Sequence, residues 1–218
     1  MKLYHGTAER FLPTILRDGL KPRGSKRRGN WKHSVEGNTK AIYLTNAYPL
    51  HYAGNATVGK ERMLVLEIDT AKLNPFRFAP DEDFLEQATR GNPNFADIQE
   101  RWPGPQGMHA RTKWFRRCLL TSFAEHWEKS LEHLGNCTYF GTIPPEAILR
   151  YSLVDVNAPI SRASDPCIHL ANYRILGHYY RALTQFVFNE NIGMCDANDT
   201  YMSHLAKLPR DGIVVVQP

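Results

Sequence analysis

The sequence predicts an α+β chain. Three observations carry this: apolar β-rich runs ("KLYH", "AIYLT", "MLVLEID"), a helical stripe closed by glycine and proline, and a long amphipathic stretch near the C-terminus. No repeat or low-complexity tract interrupts the pattern.

"KLYH" reads as a first strand, which the polar "HGT" of His5, Gly6 and Thr7 interrupts. A helix is expected from about Ala8 to Asp18, with Leu12, Ile15 and Leu16 as its buried stripe. Gly19 stands where a left-handed C-terminal residue is expected, and Pro22 blocks continuation. "AIYLT" at Ala41 to Thr45 is a second strand, followed by a short helix through "AYPLHYAGNA". "ERMLVLEIDTAKL" is a third strand, ending at Asp69-Thr70. "FAPDEDFLEQATR" reads as an acidic loop entering a helix, and the Pro- and Gly-rich "NPNFADIQERWPGPQGMHA" as mostly loop. One long helix is expected from Thr112 to Leu134, closed by Gly135. Then come the strand "CTYFGTI", the turn "PPEAI" and the strand "LRYSLVDV".

After the connector "SRASDPC", the amphipathic run places Ile175, Leu176, Tyr179, Leu183, Phe186 and Val187 inward, and "DGIVVVQP" supplies a last apolar strand. Residues 1–157 thus form the main domain, and 158–218 an extension packed on it.

At 218 residues the chain can bury one sizeable core. No apolar run approaches the roughly 20 residues that span a bilayer, so no membrane partner is expected. No apolar segment follows Lys2, so no signal peptide is read. Cys118, Cys137, Cys167 and Cys195 are scattered without metal-ligand spacing. This predicts a metal-free chain suited to a reducing cytoplasm.

The formal charge of +5 is unevenly spread. "KPRGSKRRGNWKH" gathers Lys21, Arg23, Lys26, Arg27, Arg28, Lys32 and His33 around one tryptophan. "RTKWFRR" sets Arg111, Lys113, Arg116 and Arg117 around Trp114 and Phe115. Cations suit phosphates and ring faces suit unpaired bases, so Arg23, Lys26, Arg27, Arg28 and Lys32 are candidate nucleic-acid contacts. A solvated surface, or a phosphate-rich small molecule as partner, would account for the same charges.

The ordered set "LYHGT", "ILRDGLKPRG", "AIYLTNAYPLHYA", "VLEID" and "IPPEAI" resembles the ADP-ribosyltransferase superfamily. That group includes poly(ADP-ribose) polymerase-like enzymes, bacterial toxins and RNA 2′-phosphotransferases, and phage and bacterial members share the "IL…GL.PRG" opening. The resemblance runs over residues 3–155, and its weight lies in order and spacing rather than in any single motif.

It implies a split pair of small antiparallel sheets gripping NAD, with flanking helices. His5 would bond the adenosine-side ribose, and Gly6, with Thr7 beside it, would bring bare main chain to the nicotinamide amide. Tyr43 and Tyr52 would stack on the nicotinamide ring. For both tyrosines the alternative is ordinary core packing.

The family's catalytic glutamate stands at the start of the strand before the "IPPE" turn. Here that position is Asn136, which can bond a ribose but cannot offset positive charge. Glu125, Glu128 and Glu132 read as the solvent face of a helix. In "PDEDFLEQ", Asp81 and Asp83 read as a helix cap, and Glu82 is the candidate replacement acid, with Asp211 behind it.

The expected function is therefore an NAD-dependent ADP-ribosyltransferase acting on nucleic acid or protein, as a toxin or a phage–host effector. His5, Tyr43 and Glu82 are its catalytic candidates, and Asn136 joins its cofactor-binding set. The alternatives are an RNA 2′-phosphotransferase-like enzyme using Arg23, Arg27 or His33, and a non-catalytic module binding ADP-ribose or nucleic acid.

Overall fold

In a computed structural model, residues 1–24, 37–90, 93–163, 173–190, 205 and 207–218 are described. The elements along the chain are β1 (Lys2–Ala8), α1 (Leu12–Asp18), β2 (Ala41–Thr45), α2 (Pro49–Ala56), β3 (Met63–Asp69), β4 (Phe78–Pro80), α3 (Glu82–Ala88) and α4 (Ala96–Arg101). There follow α5 (Met108–Cys118), α6 (Trp127–Leu134), β5 (Asn136–Phe140), β6 (Ile148–Val154), α7 (Pro159–Ala163), α8 (Tyr173–Val187) and β7 (Ile213–Val216). The fold class is mixed α+β, with an open sheet whose hydrogen-bonded order is β4-β5-β2-β1-β3-β6-β7.

The chain divides into two compact units. The first comprises Met1–Lys21, Leu44–Leu73 and Thr142–Pro218, and the second Pro22–Tyr43 and Asn74–Gly141. Strand β2 begins in the second unit and ends in the first.

In the first unit β3 is the central strand. It pairs antiparallel with β1 from Lys2↔Asp69 to Ala8↔Met63, and with β6 from Met63↔Val154 to Ile68↔Ile148. Strand β7 adds to β6, bringing residues of the expected extension into the same sheet as β1. Strand periodicity sends Tyr4, Val65 and Val154 to one face, where Ala53 of α2 and Leu183, Phe186 and Val187 of α8 join them in one buried cluster. The inward positions expected for Tyr179, Leu183, Phe186 and Val187 are buried as the sequence predicts.

Glu67 is buried in this unit with two countercharges, Lys2 at 2.9 Å and Arg150 at 2.6 Å. Arg150 also pairs with Glu190 and lies over the Phe188 ring at 4.6 Å. Removing one partner of so buried a carboxylate costs about 3–5 kcal/mol.

Three local expectations are corrected. "HGT" does not interrupt the first strand, because main-chain pairing with β3 carries β1 through to Ala8. The following helix starts at Leu12 after a 3-10 turn, Glu9–Phe11, with Pro13 in its first turn. Gly19 has φ 80° and ψ 169° rather than a left-handed helical pair, because Leu20 and Ile143 exchange main-chain bonds and draw the chain into extended geometry.

The second unit pairs β4 with β5 antiparallel, from Phe78↔Tyr139 to Pro80↔Cys137. The single helix expected from Thr112 to Leu134 is two, α5 and α6. The Cys118 carbonyl accepts from the amides of Thr121, Ser122 and Phe123, and this turn drops Phe123 fully into the core. Gly135 does close α6 in the left-handed conformation, at φ 72° and ψ 10°. The stretch expected to be mostly loop contains α4, which buries Ile98 next to the buried Phe95.

Among the described residues no helix is long and apolar enough to cross a membrane. Cys118 is half-buried and Cys137 buried as free thiols, while Cys167 and Cys195 lie outside the described residues.

Gly6 has a packing role in the first unit. A Cβ there would run into the Pro49 carbonyl oxygen and lie 2.6 Å from the Ala53 amide nitrogen, so α2 packs directly on the bare main chain of β1. Backbone cannot step aside as a side-chain tip can. Gly6→Ala is expected to destabilise the chain by about 2 kcal/mol or more. Gly54→Ala, which meets only Met63 Sδ at 3.6 Å, should be neutral or stabilising by helix propensity. Urea unfolding of the two variants checks this; equal effects would contradict the packing role.

Candidate functional site

The second unit brings together three residues singled out from separate parts of the sequence. Tyr43 sits in β2, Glu82 opens α3 and Asn136 opens β5. Local chemistry fixes the first turn of α3. Asp81 is its N-cap, with extended backbone and a carboxylate oxygen accepting from the Asp83 amide at 2.9 Å. The expected capping role of Asp81 is therefore present, and it leaves Glu82 as the first helical residue, 1% exposed.

The Tyr43 hydroxyl donates to Glu82 Oε2 at 2.7 Å. The Asn38 amide is shared, donating to Glu82 Oε1 at 2.9 Å and to the Tyr43 hydroxyl oxygen at 2.6 Å. One residue earlier, a Cβ on Gly37 would lie 2.7 Å from the Tyr43 oxygen, so only glycine leaves room for this approach. Arg23 donates to the Gly37 carbonyl at 3.0 Å, and the Gly24 amide to the Thr39 carbonyl at 3.1 Å. Tyr43 and Glu82 thus fasten the Gly37–Asn38 main chain.

Asn136 lies one step beyond the last registered β4–β5 pair, Pro80↔Cys137. Ser130 joins the two chain segments, accepting from the Asp81 amide at 3.0 Å and donating to the Asn136 carbonyl at 2.7 Å. Asn136 is 2% exposed, and its Oδ1 has no hydrogen-bond partner among the described residues. Asn136 is thereby placed next to the acidic run.

That run is electrostatically unusual. Glu86 is paired with Arg111 at 3.0 Å and with Arg90. Among the described residues no cation pairs with Asp81, Glu82 or Asp83. Burial pushes Asp81 up to about 7, with Glu82 adding to the effect. Burial likewise raises Glu82 to about 7, against the pull of its bonds from Tyr43 and Asn38. Asp83 rises to about 8 through burial and the charges of Asp81 and Glu86. Tyr43 is pushed well above its ordinary value by burial first and Glu82 second, so at neutral pH it is a neutral donor. The Cys137 thiol is also pushed up, by burial and by Asp81. Among the described residues no His, Cys, Asp and Glu group could hold a metal ion.

The remaining candidates for the cofactor site belong to the first unit. His5 and Thr7 are in β1 of the first unit, opposite Leu66 and Leu64, with His5 half-buried and Thr7 buried. Tyr52 is on α2, partly buried against the core, its ring 5.5 Å from that of His51. The bare main chain of Gly6 is packed against α2.

Of the basic candidates, Arg23 is half-buried, and Lys26, Arg27, Arg28 and Lys32 lie outside the described residues. The second basic knot is corrected in part: Arg111 is buried against Glu86 and Thr89, and Phe115 is core. Lys113, Arg116 and Arg117 are exposed. Sequence reasoning missed Gly37 and Asn38. An amide donor carries no side-chain signature, and Gly37 was the one available hint.

No protein-family model and no curated protein matches the chain.

The carboxyl shifts set a pH dependence of stability. Each folded-state pKa is raised, so these groups weigh nothing against the fold below about pH 4, and stability falls as pH rises through about 7 to 8. Asp83→Asn removes one contributor. The variant should gain stability relative to wild type as pH is raised from about 5 to about 8. Parallel stability–pH curves, measured by urea unfolding, would contradict the assignment.

Proposed function

We propose that the chain is an NAD-dependent ADP-ribosyltransferase in which Glu82 supplies the carboxylate that Asn136 cannot. The observation that supports this reading is the Tyr43–Glu82 hydrogen bond. It couples a tyrosine assigned to the nicotinamide side to a carboxylate 39 residues further along the chain. In the reaction the bond from ribose C1′ to nicotinamide breaks, and nicotinamide leaves with the electron pair. The sugar passes through an oxocarbenium-like state, and an acceptor group attacks C1′ and gives up its proton. An ionised Glu82 accepting from a ribose hydroxyl would stabilise the developing positive charge more than the ground state. Each of its oxygens already accepts one bond, and the sugar hydroxyl would use a remaining lone pair.

Asn136 Oδ1, buried and without a hydrogen-bond partner among the described residues, would accept a second hydroxyl or the nicotinamide amide. His5, Thr7 and Tyr52 enter through the resemblance alone, and His5→Ala is expected to weaken NAD binding. The acceptor class remains nucleic acid or protein.

One observation favours a second reading. Glu82 is 1% exposed, which suits a non-catalytic module in which the carboxylate only fastens Asn38.

Release of labelled nicotinamide from NAD, with nucleic acid and protein supplied as acceptors, separates the two readings. On the transferase reading Glu82→Gln lowers turnover at least about a hundredfold at nearly constant NAD affinity, the pattern of an interaction made in the transition state. Wild-type turnover should rise with pH through about 7 as Glu82 ionises. NAD binding without nicotinamide release, in wild type as in the variant, would establish the binding module instead.

A further inference from the structure

The turn before β4 presents an aromatic ring to solvent. Phe76 is 87% exposed, within the 3-10 turn Pro75–Arg77. An apolar ring left so open is a desolvation gain not taken. The turn that holds it is nevertheless well fixed. Asn74 Oδ1 accepts from the Phe76 amide at 3.0 Å, and the Asn74 carbonyl accepts from the Arg77 amide at 3.1 Å. On the next residue but one, Phe78 is buried and stacks on Trp127, their ring centroids 4.6 Å apart. Phe78 therefore roots the turn in the core while Phe76 points out from a preorganised base.

The neighbours select the kind of partner. An apolar pocket on a protein binds an anchor ringed by further apolar contacts that exclude water. A membrane surface needs a larger apolar face. In the turn itself the exposed neighbours Asn74 and Arg77 are polar, and Pro75 alone adds apolar surface. Arg77 is laid against the main chain of Gly141, where φ is 121° and a Cβ would collide with the guanidinium. One open ring beside one fixed cation is what an unpaired base and its phosphate require. The chain's net charge of +5 has the matching sign.

We propose that Phe76 and Arg77 form a contact for single-stranded nucleic acid, with the ring stacking on a base and the guanidinium on a neighbouring phosphate. This names the acceptor class for the proposed transferase and rests on that reading only for the use made of the bound strand. Binding is measured without NAD, so the two can fail separately.

The test is fluorescence anisotropy of a labelled mixed-sequence single strand of about 12 nucleotides, as RNA and as DNA, titrated with the full chain. Phe76→Ala should weaken binding roughly fivefold or more, the loss of one stacked base. The exposed position predicts an unchanged urea midpoint. Phe76→Trp should preserve affinity, with its fluorescence quenched on binding. Arg77→Ala should reduce the salt slope of log affinity by about one. Wild-type affinity in Phe76→Ala, or no binding by wild type at low salt, would overturn the proposal.

Discussion

A buried carboxylate with no countercharge among the described residues has to be held by hydrogen bonds, and in the second unit Glu82 is held by the Tyr43 hydroxyl and the Asn38 amide. Much around it follows from that requirement. Position 37 has to be glycine to let the tyrosine oxygen in, and Arg23 secures the carbonyl on the other side. Asp81 caps the helix that delivers Glu82, and Ser130 ties that cap to Asn136. The arrangement accepts the cost of three crowded acids, whose proton affinities all rise. Such an expense is found where chemistry or ligand binding uses the group, and also in purely structural networks.

Glu67 in the first unit shows the other solution to the same problem. It is equally buried but has Lys2 and Arg150 as countercharges. The pair ties β1 and β3 to β6, and Arg150 carries the tie on to Glu190, just beyond α8. Glu67 is held by two countercharges, whereas Glu82 is held by neutral donors and burial raises its proton affinity.

The strands were legible wherever β-rich runs coincide with main-chain pairing, as in β2, β3 and β7. The break between α5 and α6 was not, because Phe115, Leu119 and Phe123 recur at the four-residue spacing that a continuous helix could use as well. It took the Cys118 carbonyl, accepting three amides, to turn the chain and bury Phe123. At the candidate site, Tyr43 and Glu82 were legible as separate residue types, but their contact spans 39 positions and rests on packing. Asn38 was illegible because its contribution is main-chain. Gly6 was legible as a constrained position, but α2 is what constrains it.

The most direct measurement of the central claim is a double-mutant cycle on Tyr43→Phe and Glu82→Gln, read as urea unfolding free energy at about pH 8, where Glu82 is ionised. A hydrogen bond to a buried charged group predicts a coupling of about 1.5–3 kcal/mol, shrinking as the pH falls below about 6 and the carboxylate is protonated. Losses that simply add, within about 0.5 kcal/mol at both pH values, would contradict the account.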